Sequence, residues 1–273
     1  MIADHCFILA AGKGTRMGEL GKTLPKPLWP VLDQTILDLQ IKYAKMIGVK
    51  SIYINIHHCA EQIEDYLKNN HPDIKILFEP NLLDVGGAIH NLASRPEIQY
   101  SGSLLILNSD QFFLLDEKKW MELSNRFRQY DHVLTAVKVK AKSGYGGILL
   151  KDEVYAGLCE PSHDHDYFTY SGMSLISLDR LKPATGVSKF FKTVINNDHN
   201  LIGVVDFSDC EYWDFGTYDR YQKSIFALHE NGENFHRVFE TKVLSDVEDK
   251  NYQFPLGRLR VNLENKSIVI DLN

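Results

Sequence analysis

Cys6–Ala10 is an unbroken apolar run, Cys-Phe-Ile-Leu-Ala, and it passes without a spacer into Ala11-Gly12-Lys13-Gly14. A strand with no polar residue is buried on both faces, which is the condition of a parallel strand covered by helices on either side. The following chain keeps to that plan. Ile36–Ile47 carries a broad helical stripe, Ser51–Ile56 reads as a strand, and Ala60–Leu67 reads as a helix with Ile63, Tyr66 and Leu67 on one side. Ile74–Phe78 is a predicted strand, and Ala88–Ala93 is a short helix opened by Gly86-Gly87. Leu104–Leu107 is another buried strand and ends in Asn108-Ser109-Asp110; Glu117–Tyr130 is helical and Val133–Val139 a strand. Such alternation predicts an α/β fold, a Rossmann-like and mainly parallel sheet with helices on both faces.

The period changes after about Lys142. Gly146–Leu150, Val154–Leu158, Phe168–Ile176 and Leu201–Val205 read as strands, with Asp152-Glu153 turning the first hairpin and only Val187–Val194 helical between them. This predicts a more antiparallel extension, placed to cover a substrate. A final helix, Tyr218–His229, stops before Asn231-Gly232, a C-terminal stop signal. The expected division is therefore a domain over 1–232 and a C-terminal extension over 233–273. The extension is expected to be a short hairpin (Leu259–Val261 and Ile268–Ile270) packed on the domain or on a partner.

Composition narrows the function classes. The 273 residues are 44% hydrophobic and 24% charged, ordinary for a globular chain with ample core. The net charge of −6 argues against non-specific binding to nucleic acid or anionic membranes. No apolar run approaches the ~20 residues that span a bilayer. Met1–Cys6 shows no basic segment followed by a signal-type apolar stretch, and the cysteines at 6, 59, 159 and 210 contain no Cys-x-x-Cys pair. The expectation is reduced thiols and a cytoplasmic location.

The motif that carries chemistry is Leu9-Ala10-Ala11-Gly12-Lys13-Gly14-Thr15-Arg16-Met17, followed by Pro25-Lys26-Pro27-Leu28. Glycines let backbone N–H groups approach phosphate oxygens, Arg16 can fork two such oxygens, and Lys26 supplies a point charge restricted by a proline on each side. Two familiar phosphate loops fail on spacing. Gly18 falls one position late for a dinucleotide fingerprint, and Arg16 stands where a Walker loop ending in Gly21-Lys22-Thr23 needs glycine.

The two-part motif resembles that of the sugar-1-phosphate nucleotidylyltransferases, or nucleotide-sugar pyrophosphorylases. Leu83–Ile89, Asn108-Ser109-Asp110, Gly146-Gly147, Tyr170-Ser171-Gly172-Met173 and Asp214-Phe215-Gly216-Thr217 are similar to further marks of that family, so the resemblance spans residues 8 to 221. Its flavour is that of the small bacterial enzymes acting on heptose, mannose or N-acetylmuramic acid 1-phosphates. The resemblance implies transfer of a nucleotidyl group from a nucleoside triphosphate to a sugar 1-phosphate, giving an NDP-sugar and pyrophosphate. It implies Mg²⁺ on Asp110 and Asp214, and Arg16, Lys26 and Asp110 as catalytic residues. It assigns Leu9, Ala10, Ala11, Gly12, Gly14, Thr15, Arg16, Gly86, Gly87 and Asn108 to the nucleotide, with Gly86-Gly87 flanking the base. Gly146, Glu160 and Gly172 go to the sugar. Asp110 also stands out by itself, as a carboxylate at the C-terminal end of a buried strand, where α/β sheets place ligand sites.

There are departures. Glu160-Pro161 lacks the lysine that the family often has between them, so Lys189 or Lys192 would have to replace it; Ser109 and Asp84-Val85 also depart from the pattern. Two alternatives are carried beside the enzyme reading: a cytidylyltransferase for phosphocholine-like substrates, using Tyr167, Phe168, Tyr170 and Tyr212 as an aromatic box, and a non-catalytic nucleotide or sugar-phosphate sensor. The His163–Asp166 cluster is expected to be solvated, and His57-His58 to cap or pack. Base, sugar and oligomeric state, a homo-oligomer included, are left open by the sequence.

Overall fold

The computed structural model describes residues 2–14, 20–196, 201–242 and 249–273. Its strands are β1 (His5–Leu9), β2 (Pro30–Val31), β3 (Gln34–Thr35), β4 (Ser51–Ile56), β5 (Lys75–Phe78), β6 (Ser103–Asn108), β7 (Gln111–Leu114) and β8 (His132–Val139). They continue with β9 (Gly147–Lys151), β10 (Val154–Cys159), β11 (Tyr167–Ser177), β12 (Ile202–Asp206), β13 (Glu211–Asp214), β14 (Asp249–Phe254), β15 (Gly257–Asn262) and β16 (Ser267–Leu272). The α-helices are α1 (Leu20–Thr23), α2 (Ile36–Ile47), α3 (Ala60–Asn70), α4 (Asp84–Ala93), α5 (Glu117–Gln129), α6 (Tyr218–Asn231) and α7 (Glu233–Phe239).

Nine strands form the central sheet in the order β5-β4-β1-β6-β11-β8-β12-β10-β9. One half is parallel, with β1 lying between β4 and β6 and β4 pairing β5. The antiparallel half begins at β11, which pairs β6 and β8, and includes the β9–β10 hairpin. Within it β12 still runs parallel to β8, so this half is mixed rather than uniformly antiparallel. The long β11 also pairs β9, which curls the extension onto itself. Asp152 and Glu153 turn the β9–β10 hairpin with φ of 51° and 60°, as a two-residue primed turn requires.

Local chemistry explains the helix that matters most for the site. At the start of α2, Thr35 Oγ1 accepts from Asp38 N at 3.1 Å, and Asp38 Oδ2 accepts from Thr35 N at 2.9 Å, a reciprocal cap. Gly48 ends the helix at φ +81°. α4 starts at Asp84 rather than Ala88, so Gly86 and Gly87 lie inside the helix instead of leading into it. Of the predicted Val187–Val194 helix, the structure keeps one π turn, Phe191–Ile195.

The C-terminal part is larger than a hairpin. β14, β15 and β16 make a three-stranded meander, and α7 precedes it. Phe235, Phe239, Tyr252, Leu259 and Val261 are buried in the same core cluster as Leu24, Leu28, Trp29 and Phe112. Phe112 meets Phe215, Phe235 and Phe239 with ring centres 5.8, 6.1 and 5.4 Å apart. The hydrophobic stabilisation of residues 1–232 thus includes surface supplied by residues 233–273. A chain truncated after Gly232 is expected to lose cooperative unfolding, and Phe239→Ala to cost about 3–5 kcal/mol in a urea titration.

His132 is fully buried in β8. Burial pushes its imidazole down from 6.5 to about 4. The folded state favours the neutral ring, so stability present above pH 6.5 is lost as the pH falls towards 4. His132→Asn is expected to flatten the acid slope of unfolding free energy across that window, read by urea titrations at a series of pH values.

Candidate active site

Three parallel strands end side by side and build the site. Leu9 of β1 pairs with Asn55 of β4 on one side and with Asn108 of β6 on the other. The chain leaving β1 is Ala10-Ala11-Gly12, and that leaving β6 is Ser109-Asp110. Together with Lys26, Pro27, Glu79, Leu82, Asp84 and Val85 they line a cavity of about 330 Å³. Among the described residues, a Cβ on Gly12 would meet nothing within 4 Å.

A buried relay holds the loop in place. Ala10 N donates to Asn55 Oδ1 at 2.8 Å, Asn55 Nδ2 donates to Glu79 Oε1 at 2.7 Å, and Glu79 Oε2 accepts from Leu83 N at 3.1 Å. Asn55 and Glu79 are 4% and 1% exposed. Both were missed by sequence reasoning. The available signal was a lone Asn in the isoleucine-rich β4, since a polar side chain on a buried strand needs a partner. The turn after β6 is held as firmly. Gln40 Nε2 of α2 donates to the Asn108 and Gln111 carbonyls at 2.9 and 2.7 Å, and Ser109 N donates to Leu9 O at 3.3 Å.

The two predicted metal ligands converge. β7 pairs with β13 so that Gln111 faces Asp214, and Phe215 N donates to Asp110 O at 2.9 Å. A Cβ placed on Gly216 would lie 3.0 Å from Asp214 Oδ1 and 3.2 Å from Asp110 Oδ2, so one small point is flanked by both carboxylates. Each carboxylate has a cation. Lys26 Nζ pairs with Asp110 Oδ2, and Arg220 Nη1 with Asp214 Oδ2 at 3.0 Å. Asp214 also accepts from Gly216 N at 2.7 Å and from the Tyr212 hydroxyl at 3.0 Å. Burial, with the Asp214 charge beside it, raises the Tyr212 hydroxyl above the ordinary phenol range, which keeps it a donor.

The predicted sugar residues lie on the extension. Gly146 O accepts from Thr169 Oγ1 at 2.7 Å, and Glu160 is exposed directly after the Gly147–Cys159 rung. Gly172 sits at φ +92° where β11 shifts register, and a Cβ there would lie 2.2 Å from Asn108 Nδ2. Asn108, Gln111 and Tyr212 continue from that point in a hydrogen-bonded row, at 2.9 and 2.8 Å, to the Tyr212–Asp214 bond.

Gly86 and Gly87 depart from expectation. They do not line the cavity, whose wall there is Asp84 and Val85. The space a Cβ would fill is taken by the backbone of 186–189, at 2.7 Å from Gly86 and 2.4 Å from Gly87, so these glycines permit close packing rather than room for a base. Thr15 and Arg16 lie outside the described residues. Lys189 and Lys192 are exposed on the segment that packs against α4. The aromatic box does not form. Tyr170 stacks on Phe190 with ring centres 5.3 Å apart, Tyr212 stacks on Phe113 at 4.6 Å, and the Tyr167 hydroxyl donates to Tyr145 O at 2.7 Å. The His163–Asp166 segment is spent on its own loop and on Lys140, and among the described residues no group of three or more His, Cys, Asp or Glu is placed to hold a metal. His57 Nδ1 binds Glu79 O, a packing role as expected.

Residues 6–223 match the nucleotidyl transferase family. The chain belongs to that family. It is 32% identical over 117 residues to a D-glycero-alpha-D-manno-heptose 1-phosphate guanylyltransferase of Campylobacter jejuni, a match covering 42% of this chain and 51% of that protein. It is 29% identical over 158 residues to a UTP–glucose-1-phosphate uridylyltransferase of Synechocystis, covering 54% of this chain and 41% of that protein. The matched stretches therefore span about half of these relatives. The fold is similar to that of HddC from Yersinia pseudotuberculosis, with a TM-score of 0.67 and 23% identity over 81% of this chain and 97% of that one. A UDP-glucose pyrophosphorylase solved with UDP-glucose gives the same TM-score at 19% identity, over 84% of this chain and 99% of that one.

The relay makes a direct prediction. Asn55→Ala leaves the Ala10 N–H and the Glu79 carboxylate without their buried partner. It is expected to cost about 1–3 kcal/mol in thermal or urea unfolding. It is also expected to weaken, in calorimetry, binding of any ligand that fills the Leu9–Gly12 cavity, whereas Asn70→Ala on the far end of α3 leaves that affinity unchanged.

Proposed function

We propose that the protein transfers a nucleotidyl group from a nucleoside triphosphate to a sugar 1-phosphate, releasing pyrophosphate. The observation that carries this reading is the pair of carboxylates, Asp110 and Asp214, flanking one point, with Asp110 and its partner Lys26 both lining the Leu9–Gly12 cavity. A sensor that only binds phosphate has no need of two carboxylates there, since each repels the ligand. Two hard oxygen donors suit Mg²⁺, which keeps several waters and needs only one or two carboxylates from the protein. When bound, the ion neutralises phosphate charge.

The chain's own residues do the rest. The Ala10–Gly12 backbone and the Asp84–Val85 wall hold the nucleotide, and Lys26 stabilises the charge that builds on the α-phosphate and leaving pyrophosphate. Arg16 is assigned to the same phosphates from the motif. Gly146, Glu160 and Gly172 face the sugar. An oxygen of the sugar 1-phosphate forms the new bond to the α-phosphorus as the bond to pyrophosphate breaks. That oxygen is already anionic, so no general base is required, and positioning with charge neutralisation carries the rate. The absence of a converged aromatic cage among the described residues favours a sugar phosphate over a choline phosphate. No described helix is long and apolar enough to cross a membrane. The four free thiols support a reducing compartment, the cytoplasm.

The test is pyrophosphate release from the four nucleoside triphosphates against glucose, mannose, heptose and N-acetylhexosamine 1-phosphates, with Mg²⁺ and with chelator. One NDP-sugar is expected, and only with the metal. Asp110→Asn and Asp214→Asn are expected to lower turnover about 100-fold or more while unfolding cooperatively. CDP-choline formation without any NDP-sugar, or near wild-type turnover by the folded Asp110→Asn variant, would overturn the reading.

A further inference from the structure

The two cations at the carboxylate pair meet different carboxylates. Lys26 and Asp110, which pair with each other, both line the cavity with Leu9–Gly12. Arg220, in the first turn of α6, is not part of that lining. It meets Asp214, and its guanidinium carbon lies 5.1 Å from the centre of the Tyr145 ring. Tyr145 precedes Gly146 and belongs to the extension. Resting on the transferase reading above, we propose that Arg220 binds the phosphate of the sugar 1-phosphate, so that Lys26 and Arg220 each serve one of the two substrates.

Three observations support this assignment. First, transfer between two phosphates brings two anions to one point, and Glu160-Pro161 on the extension carries no lysine, so the acceptor side needs a cation from elsewhere in the fold. Second, the guanidinium has donors to spare among the described residues. It carries five N–H donors, the Asp214 bond uses one, and the Tyr145 contact is with a ring face that accepts no conventional hydrogen bond, so donors remain for bidentate bonds to phosphate. The Arg220 side chain is 36% exposed whereas that of Asp214 is 12% exposed, so the arginine reaches outward from a carboxylate that stays inside. Third, Asp214 does not depend on Arg220 for its orientation. Gly216 N and the Tyr212 hydroxyl hold both of its oxygens, so the guanidinium can turn to a phosphate without leaving the carboxylate unsupported. The backbone role of Arg220 is separate as well, since its N–H donates to Thr217 Oγ1 at the start of α6 whatever the side chain.

The experiment takes the best acceptor from the sugar 1-phosphate panel and compares wild type, Arg220→Gln and Arg220→Lys. Kinetics give KM for each substrate and kcat. Calorimetry gives acceptor affinity in the absence of nucleotide, a readout independent of turnover. Arg220→Gln is expected to raise the acceptor KM and weaken acceptor binding by about 10-fold or more, the loss of a charge-assisted pair of hydrogen bonds. The nucleoside triphosphate KM should stay within about twofold, and Arg220→Lys should recover part of the acceptor affinity by restoring the charge without the fork. Unchanged acceptor affinity in Arg220→Gln, or a fall in kcat alone, overturns the proposal and leaves Arg220 as a positioning residue for Asp214. If Arg220→Gln does not fold, Arg220→Lys decides. A rise in acceptor KM of about threefold or more, with the other KM unmoved, supports the proposal, and equal change in both overturns it. A wild-type protein that forms no NDP-sugar with any pair overturns the transferase reading itself, and this proposal with it.

Discussion

The register of β1 sets the geometry of everything that follows. Because Leu9 lies level with Asn55 and Asn108, three strand ends open at the same height on one edge of the sheet. Parallel pairing is what makes this happen, since strands running the same way finish on the same side. The phosphate-type loop, the Asn55–Glu79 relay and the 108–111 turn are then neighbours without any further device. Side chains lock the arrangement by using up backbone groups. Asn55 takes the Ala10 N–H, and Gln40 takes two carbonyls of the 108–111 turn. Each of these polar groups is buried, so leaving it unpaired costs more than a surface bond would.

A second, smaller pairing completes the site. β7 and β13 bring Asp214 to Asp110 across roughly a hundred residues of chain, and an aromatic layer lies beneath them. Phe235 and Phe239 of α7 belong to that layer. The C-terminal part is therefore part of the support of the carboxylate pair, and not an appendage to a finished domain. His229, which binds Tyr252 through Nε2 at 2.8 Å, ties α6 to the meander in the same way.

Charge is arranged in pairs. Two half-buried carboxylates so close together repel, and the Lys26 and Arg220 contacts offset that repulsion. The pairing also gives the site two connections. Lys26 and Asp110 line the cavity of the glycine loop, and Arg220 joins Asp214 to Tyr145 of the extension. In the proposed transfer, this arrangement offers each of the two anions its own cation.

The sequence by itself determined the strand–helix alternation, the switch to antiparallel strands after Lys142, and the candidates Lys26, Asp110 and Asp214. Those features are written in short-range patterns. An apolar run, a helical stripe or a Pro-Lys-Pro step shows its physical cause within a few residues. α2 matched its predicted limits, Ile36–Ile47, because its apolar stripe and its cap both lie in the local chain. Tertiary structure alone decided the rest. Asn55, Glu79 and Gln40 looked like ordinary polar residues until their partners, 24 to 71 positions away, came alongside. Gly86 and Gly87 suggested room for a ligand, yet the fold fills that room with the 186–189 backbone. Arg220 was one more charged residue at a helix start until β13 and α6 set it between Asp214 and the Tyr145 ring. In each case the deciding quantity is a contact between distant segments, and no local pattern of residues encodes it.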